Sequence, residues 1–317
     1  MKAIIFDKFG DSSVLNTSDI TLPDLNNDEV TVAIAFTSVN PVDAKIRAGH
    51  LVEMLSHKLP IVPGWDVAGK VTAVGSAISS FKVGDEVYAY ARKAEVHDGT
   101  YAEFINLSES AVALKPSTLQ LSAAAAIPLV GLTAYQSLFN TADLKKGETV
   151  FITAGAGGVG SLAIQFAKVQ GATVITTASS KNHDYLKTLG ADHTIDYTKG
   201  NVVESVRKIA PQGVDVVFDA SGGDSLDEAW LTIKKGGRLV SIVQPPDENK
   251  ARDLGVQATF VFVEPSGAEL TVIAQLIDAK KVKTPTINIR SVKEAAKAQD
   301  ENEQRKTQGK VVLAIDF

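Results

Sequence analysis

Eight residues, Thr153-Ala154-Gly155-Ala156-Gly157-Gly158-Val159-Gly160, constrain this chain more than any other stretch. They follow the apolar run Val150-Phe151-Ile152, which reads as a buried strand. They open a segment from Gly158 to Gln170 in which Val159, Leu162, Ala163, Phe166 and Ala167 recur at helical spacing. Gly155, Gly157 and Gly160 therefore stand as Gly-x-Gly-x-x-Gly in the strand-turn-helix setting of a dinucleotide-binding turn. The first glycine permits the tight turn, the second removes a side chain that would block a pyrophosphate, and the third lets helix and strand approach closely. Backbone amides at the start of the helix then face the diphosphate at the favourable end of the helix dipole.

The adenosine end is read from the next strand, Ala172 to Thr177, where an acidic residue about 20 positions past the first glycine would accept ribose hydroxyls. That place reads Thr176-Thr177-Ala178-Ser179-Ser180-Lys181, without a carboxylate to repel a 2′-phosphate. Ser179, Ser180 and Lys181 offer hydroxyls and one cation, which suits a phosphate monoester and favours NADP(H) over NAD(H). Ser180 is also placed to cap the helix that follows, through Asp184, and the two tasks are compatible.

Strands and helices alternate around the motif. From Ser122, a candidate N-cap, an alanine-rich helix covers 123–126. Later come a helix over 182–189, a strand over 194–196, a helix over 202–209, a strand over 214–218, a helix over 226–233 and strands over 238–243 and 259–263. Continuous apolar strands of this kind predict a doubly wound parallel sheet. Residues 1–122 read differently, as short alternating strands (30–36, 67–74, 83–89) separated by Asn40-Pro41, Pro63-Gly64, Gly75-Ser76, Gly84-Asp85 and Asp98-Gly99, which predicts a β-rich, barrel-like domain. The tail, with a helix over 269–279 and a closing run from Lys310, is expected to return to that first domain. Gln244 to Lys250, with two prolines, reads as a mobile loop.

Composition narrows the functional classes. The 317 residues carry 32 Lys+Arg against 37 Asp+Glu, a net of -5, so no basic surplus favours nucleic acid. There is no cysteine, which excludes disulfides, thiolate metal sites and a thiol nucleophile and fits a reducing compartment. No apolar stretch approaches the ~20 residues of a membrane helix. The start, Met1 to Asp7, reads as a strand rather than a signal core, so a cytoplasmic location is expected.

Seven segments carry a resemblance: Val39 to Lys45 (VNPVDAK), Pro63 to Gly69 (PGWDVAG), Val83 to Tyr88 (VGDEVY), Gly99 to Glu103 (GTYAE), Ala154 to Gly160, Leu189 to Asp192 (LGAD) and Gly309 to Leu313 (GKVVL). In this order they resemble the zinc-free quinone oxidoreductase and enone (alkenal) reductase branch of the medium-chain dehydrogenase/reductase superfamily. The resemblance implies an α/β protein in which a GroES-like β-rich catalytic domain (1–122 plus 262–317) is interrupted by a Rossmann domain (123–261). It implies an active site in the cleft between them. Zinc-dependent members place Gly-His-Glu where this chain has Gly64-Trp65-Asp66, and use cysteine ligands, so no metal is expected. The five histidines stand without ligand spacing.

By the same resemblance NADPH is the cofactor and a quinone or an α,β-unsaturated carbonyl is the substrate. Asn40 falls on the nicotinamide side, and Lys45 donates to the substrate carbonyl oxygen while Asp43 braces the loop. Thr133 lies near the phosphates or nicotinamide, Tyr197 at the 2′-phosphate side, and Ser221 and Gly222 beside the adenosine. Val243, Phe262 and Val263 line the nicotinamide pocket, and Lys310 reaches the phosphate end. Read from the residues alone, Asn40-Pro41 has the alternative of a turn, Lys310 that of facing water, Lys45 is equally a solvated charge, and Phe262 is equally a core or subunit-interface residue. A homodimer paired through 259–263 is a further expectation. The competing readings are a metal-free alcohol or aldehyde dehydrogenase and a catalytically idle NADPH-binding protein.

Overall fold

The computed structural model describes residues 1–304 and 309–317. The chain divides into two compact units: one holds Met1–Leu129, Glu264–Ala279 and Thr284–Phe317, the other Val130–Val263 and Lys280–Lys283.

The first unit is built on the ten-residue strand Glu29–Ser38. Its Val30, Val32 and Ile34 enter a core with Val67, Val87 and Leu107. This strand pairs antiparallel with Asp66–Val74, which pairs with Glu86–Tyr90 and that with Val112–Leu114. Its other edge is shared: Phe104–Ser108 pairs with its first half and Lys310–Ala314 with its last residues. Lys310–Ala314 also pairs, in parallel, with Ile287–Ser291. The returning strand Lys310–Ala314 thus extends the sheet built on Glu29–Ser38. The strand expected over 83–89 begins instead at Glu86, because Gly84 adopts a left-handed φ of 95° and the chain turns there.

The second unit is a six-stranded, all-parallel sheet in the order His193–Ile195, Thr173–Thr177, Thr149–Ile152, Val214–Asp219, Ile233–Ser241, Gln257–Phe260. The unit's first strand in sequence, Thr149–Ile152, lies third, so strand order reverses between it and Val214–Asp219, and ligands of such sheets bind beyond the strand ends at that reversal. Phe151, Ile175, Val217 and Leu239 fill one core of this sheet with Val206 and Trp230 from its helices. The Gly158–Gln170 helix buries Leu162, Ile164 and Phe166 and ends at Gly171, whose φ of 85° suits a C-cap.

Three expectations are corrected. The helix placed over 226–233 is Asp224–Trp230, and Ile233 already belongs to the next strand. The strand placed over 259–263 is Gln257–Phe260. The loop over 244–250 gives way at Glu248 to a helix ending at Leu254: Asp247 caps the amides of Asn249 and Lys250, and Gly255 closes it with a φ of 62°.

Candidate functional site

The glycine turn is shaped by two different constraints. A Cβ on Gly155 would lie 2.2 Å from Thr176 Oγ1, and one on Gly160 would lie 2.4 Å from the Ala154 carbonyl oxygen, so packing inside the unit excludes side chains at both. Gly157 differs. Its φ is -75°, open to any residue, and its Cβ would find only the Ala154 oxygen, at 3.4 Å. Nothing among the described residues forbids a side chain there, while a bound diphosphate would. Ala154, with a φ of 53°, delivers the chain into the turn, and the first-turn amides of Gly158, Val159 and Gly160 have no carbonyl one turn back to bond. These are the properties a dinucleotide needs, and the residues present fit one.

The turn is tied to the neighbouring strand ends. Thr153 Oγ1 donates to Asp219 Oδ1 (2.9 Å) and accepts from the Ala220 amide (2.8 Å). The buried Asp219 carboxylate also takes the amides of Ser221 and Gly222 and the Ser241 hydroxyl (2.8 Å). Asp219 therefore orders the whole Ser221-Gly222 turn. Gly222, at φ 73°, sits beneath Val243, since a Cβ would come within 2.6 Å of that side chain, and Gln244 clips the Gly223 amide at 3.0 Å. Thr133 is buried, Phe262 half-buried and Val263 buried.

At the adenosine side Ser180 does not cap through Asp184. Its amide and hydroxyl both donate to Asp196 Oδ2, and Ser179 takes the cap position of the short 180–182 turn. Asp196 Oδ1 accepts from Thr198 (2.7 Å from the hydroxyl), and Lys199 donates to Ser180 Oγ while pairing with Asp196 at 3.4 Å. The hydrogen bond from Ser180 leads the causes that hold the Asp196 carboxyl far below the usual carboxylate range. Lys181 is exposed, and Tyr197 has 59% of its surface open. Sequence spacing along one strand missed Asp196 and Lys199, which arrive from the exit of the neighbouring strand; the signal was Asp196-x-Thr198, an Asx turn.

In the first unit, the expected residues Asn40, Asp43 and Lys310 meet in a buried polar network with Asp66. Asn40 Nδ2 donates to Asp66 Oδ2 (2.7 Å), and its Oδ1 accepts from Lys310 Nζ. Lys310 Nζ also donates to the Val39 carbonyl (2.9 Å) and lies 3.5 Å from Asp66. Asp66 further accepts from Ser38 Oγ and, through Oδ1, from the Leu129 amide (2.6 Å). Asp43 Oδ2 takes the Asn40 amide (2.8 Å) and the Tyr101 hydroxyl (3.1 Å), so it braces the start of the Pro41–Arg47 helix. Burial pushes the Asp43 carboxyl up to about 7, against the pull of the Asn40 amide and Lys310, and burial lowers Lys310 while Asp66 and Asp43 raise it. Lys45, two residues further on the same helix, is exposed. Lys310, expected to face water or reach a phosphate, has its ammonium enclosed by Asn40, Val39 and Asp66.

Two families match this chain. The alcohol dehydrogenase GroES-like domain matches residues 26–117 and the zinc-binding dehydrogenase family matches 158–274. The chain is 41% identical, over 78% of its length and 64% of the relative's, to an NADPH-dependent alkenal/one oxidoreductase, chloroplastic, of Arabidopsis thaliana. It therefore spans a little under two thirds of that relative. It is 32% identical, over 90% of its length and 89% of the relative's, to the chloroplast envelope quinone oxidoreductase homolog of the same plant. The solved quinone oxidoreductase of Coxiella burnetii superimposes with a TM-score of 0.88 at 33% identity, covering 100% of this chain and 99% of that one.

Among the described residues, the zinc of the second family's description finds no ligand set. Both Asp66 oxygens are held by the groups above, Trp65 packs edge-on against Tyr90 at 5.9 Å, and the described residues contain no group of three metal-ligating side chains. Nor, among the described residues, is any helix long and apolar enough to cross a membrane. From the order of its domains, its glycine turn and relatives aligned over nine tenths of its length, the chain belongs to the medium-chain dehydrogenase/reductase superfamily, in the branch of the quinone oxidoreductases and enone reductases.

Proposed function

We propose that this protein is an NADPH-dependent, zinc-independent oxidoreductase acting on quinones or on the C=C bond of α,β-unsaturated carbonyls. The observation that carries the reading is Gly157, a glycine that the protein's own packing does not require, at the strand-order reversal of a parallel sheet. Bound NADPH supplies a hydride to an electrophilic carbon. In this reading Gly155 to Gly160 receive the diphosphate, Thr133 stands near it, and Ser221, Gly222, Val243, Phe262 and Val263 border the rings. Ser179, Ser180, Lys181 and Tyr197 receive the 2′-phosphate, joined by Lys199. Lys181 is exposed beside Ser180, and Asp196 is already engaged by Lys199 and Ser180.

The exposed Lys45 donates to the carbonyl oxygen as negative charge develops there, the use for which an unburied cation on a helix is suited. Asn40, the residue before that helix, is held by Asp43, Asp66 and Lys310. The second hydrogen arrives as a proton from water, so no dedicated side-chain acid is required. The edge strand Gln257–Phe260 is assigned as the homodimer contact, because it ends the parallel sheet, and light scattering at assay concentration tests this. The cysteine-free composition supports the cytoplasm as the compartment, tested by fractionation.

The function is tested by following NADPH consumption with a short 2-alkenal, a cyclic enone and 9,10-phenanthrenequinone, with product analysis. A saturated carbonyl product or a hydroquinone supports the proposal. Turnover of a saturated aldehyde alone supports an alcohol dehydrogenase, and tight NADPH binding without turnover supports an idle binder.

A further inference from the structure

We propose that Lys310 is a positioning residue: its buried ammonium fixes the Asn40 carboxamide, and with it the start of the helix that presents Lys45, and does not contact the cofactor. The inference deepens the proposed function and rests on it. A carboxamide has two nearly equivalent flips, and a single hydrogen bond rarely distinguishes them. Here both ends are specified by charge. The Asn40 oxygen faces the Lys310 ammonium, and the nitrogen donates to the Asp66 carboxylate at 2.7 Å. The reversed flip would set the amide NH2 against the ammonium and the oxygen against the carboxylate, so only one orientation survives.

The clamp extends along the chain. Lys310 also binds the Val39 carbonyl at 2.9 Å, and the Asn40 amide is taken by Asp43 at 2.8 Å, so backbone and side chain of the residue preceding the helix are both pinned. Asp43 lies on the Pro41–Arg47 helix two residues before Lys45. Lys310, Asn40, Asp43 and Asp66 have almost no exposed surface. An ammonium so enclosed is a poor phosphate contact and a good internal brace. The pairing fixes the rotamer on which the site depends, as a precise site requires.

The test compares the wild type with Lys310→Met and Lys310→Arg. Four readouts are taken: NADPH Kd by fluorescence titration, KM and kcat with an enone, and hydrogen exchange of residues 39–47. A positioning role predicts an unchanged NADPH Kd, faster exchange at 39–47 and a kcat lowered by about tenfold or more in Lys310→Met. Lys310→Arg, which keeps a charged donor, should recover part of the kcat. An NADPH Kd weakened about tenfold with kcat retained would overturn the proposal and return Lys310 to the phosphate. Unchanged exchange and unchanged kcat would overturn it as well. If Lys310→Met does not fold, the same split is read on Lys310→Arg and Lys310→Gln. If the wild type itself shows no turnover, the functional reading falls, while faster exchange with unchanged NADPH Kd in the variant still supports the clamp.

Discussion

Asp43 has no exposed surface, and its Oδ1 has no hydrogen-bond partner although Oδ2 has two. Burial, the largest influence, raises its carboxyl to about 7, from the ordinary value of about 3.9 that the unfolded chain keeps. Between those values the folded protein binds the extra proton, so this group's contribution to stability is full below about pH 4 and declines as pH rises towards 7. Asp43→Asn removes that dependence. The stability of the variant relative to the wild type should therefore increase from pH 4 to 7, by on the order of a few kcal/mol, in urea unfolding at each pH. A difference that is flat with pH would show that Asp43 is ionised throughout. Tyr101, Lys310 and Asp66 are the titratable groups facing it, and Tyr101→Phe controls for loss of the hydroxyl bond to Oδ2. Lys45 is the opposite case, an exposed cation free of any burial cost. Lys45→Met should lower enone kcat about tenfold while leaving NADPH affinity intact, and unchanged turnover would remove Lys45 from the reaction.

At the scale of elements, the glycine turn separates folding from binding. Gly160→Ala drives a methyl into the Ala154 carbonyl and should cost about 1–3 kcal/mol in thermal unfolding. Gly157→Ala meets no such obstacle. It should leave stability within about 1 kcal/mol, yet weaken NADPH binding about tenfold; equal effects from the two variants would contradict the assigned roles. Lys181→Glu replaces a cation next to Ser180 by a carboxylate and should raise KM for NADPH far more than for NADH, and an equal rise would refute the 2′-phosphate assignment.

These elements also show what a sequence reveals. The glycine turn was readable because its glycine spacing lies within eight residues and its flanking periodicity changes from strand to helix. The helix Glu248–Leu254 was concealed by Pro245-Pro246, although Asp247 before it and Gly255 after it are ordinary capping signals. Asp196 and Lys199 were missed because the contact with Ser180 is made across two strand exits, 16 and 19 residues away.

For the whole molecule the longest-range contacts carried the least signal. Lys310 meets Asn40 across 270 residues, and no local pattern distinguishes a buried lysine from a solvated one in Gly309-Lys310-Val311. The resemblance placed both residues near the site, and only the fold shows that they bind each other. The interrupted first unit explains how: its sheet is closed by the returning strand Lys310–Ala314 against the end of Glu29–Ser38, which sets Lys310 beside Val39 and Asn40. The parallel sheet of the second unit supplies the glycine turn and Asp219 from adjacent strands, and its helices cover the faces that its apolar strands require.

The central claim is that this chain reduces a conjugated substrate with NADPH and no metal. The most direct measurement is turnover by chelator-treated protein with a short 2-alkenal under NADPH and, in parallel, NADH, with the product identified. The account predicts a saturated carbonyl product, a strong preference for NADPH and no effect of the chelator. Activity that requires added zinc, or reduction of a saturated aldehyde while the C=C bond is left intact, would contradict it.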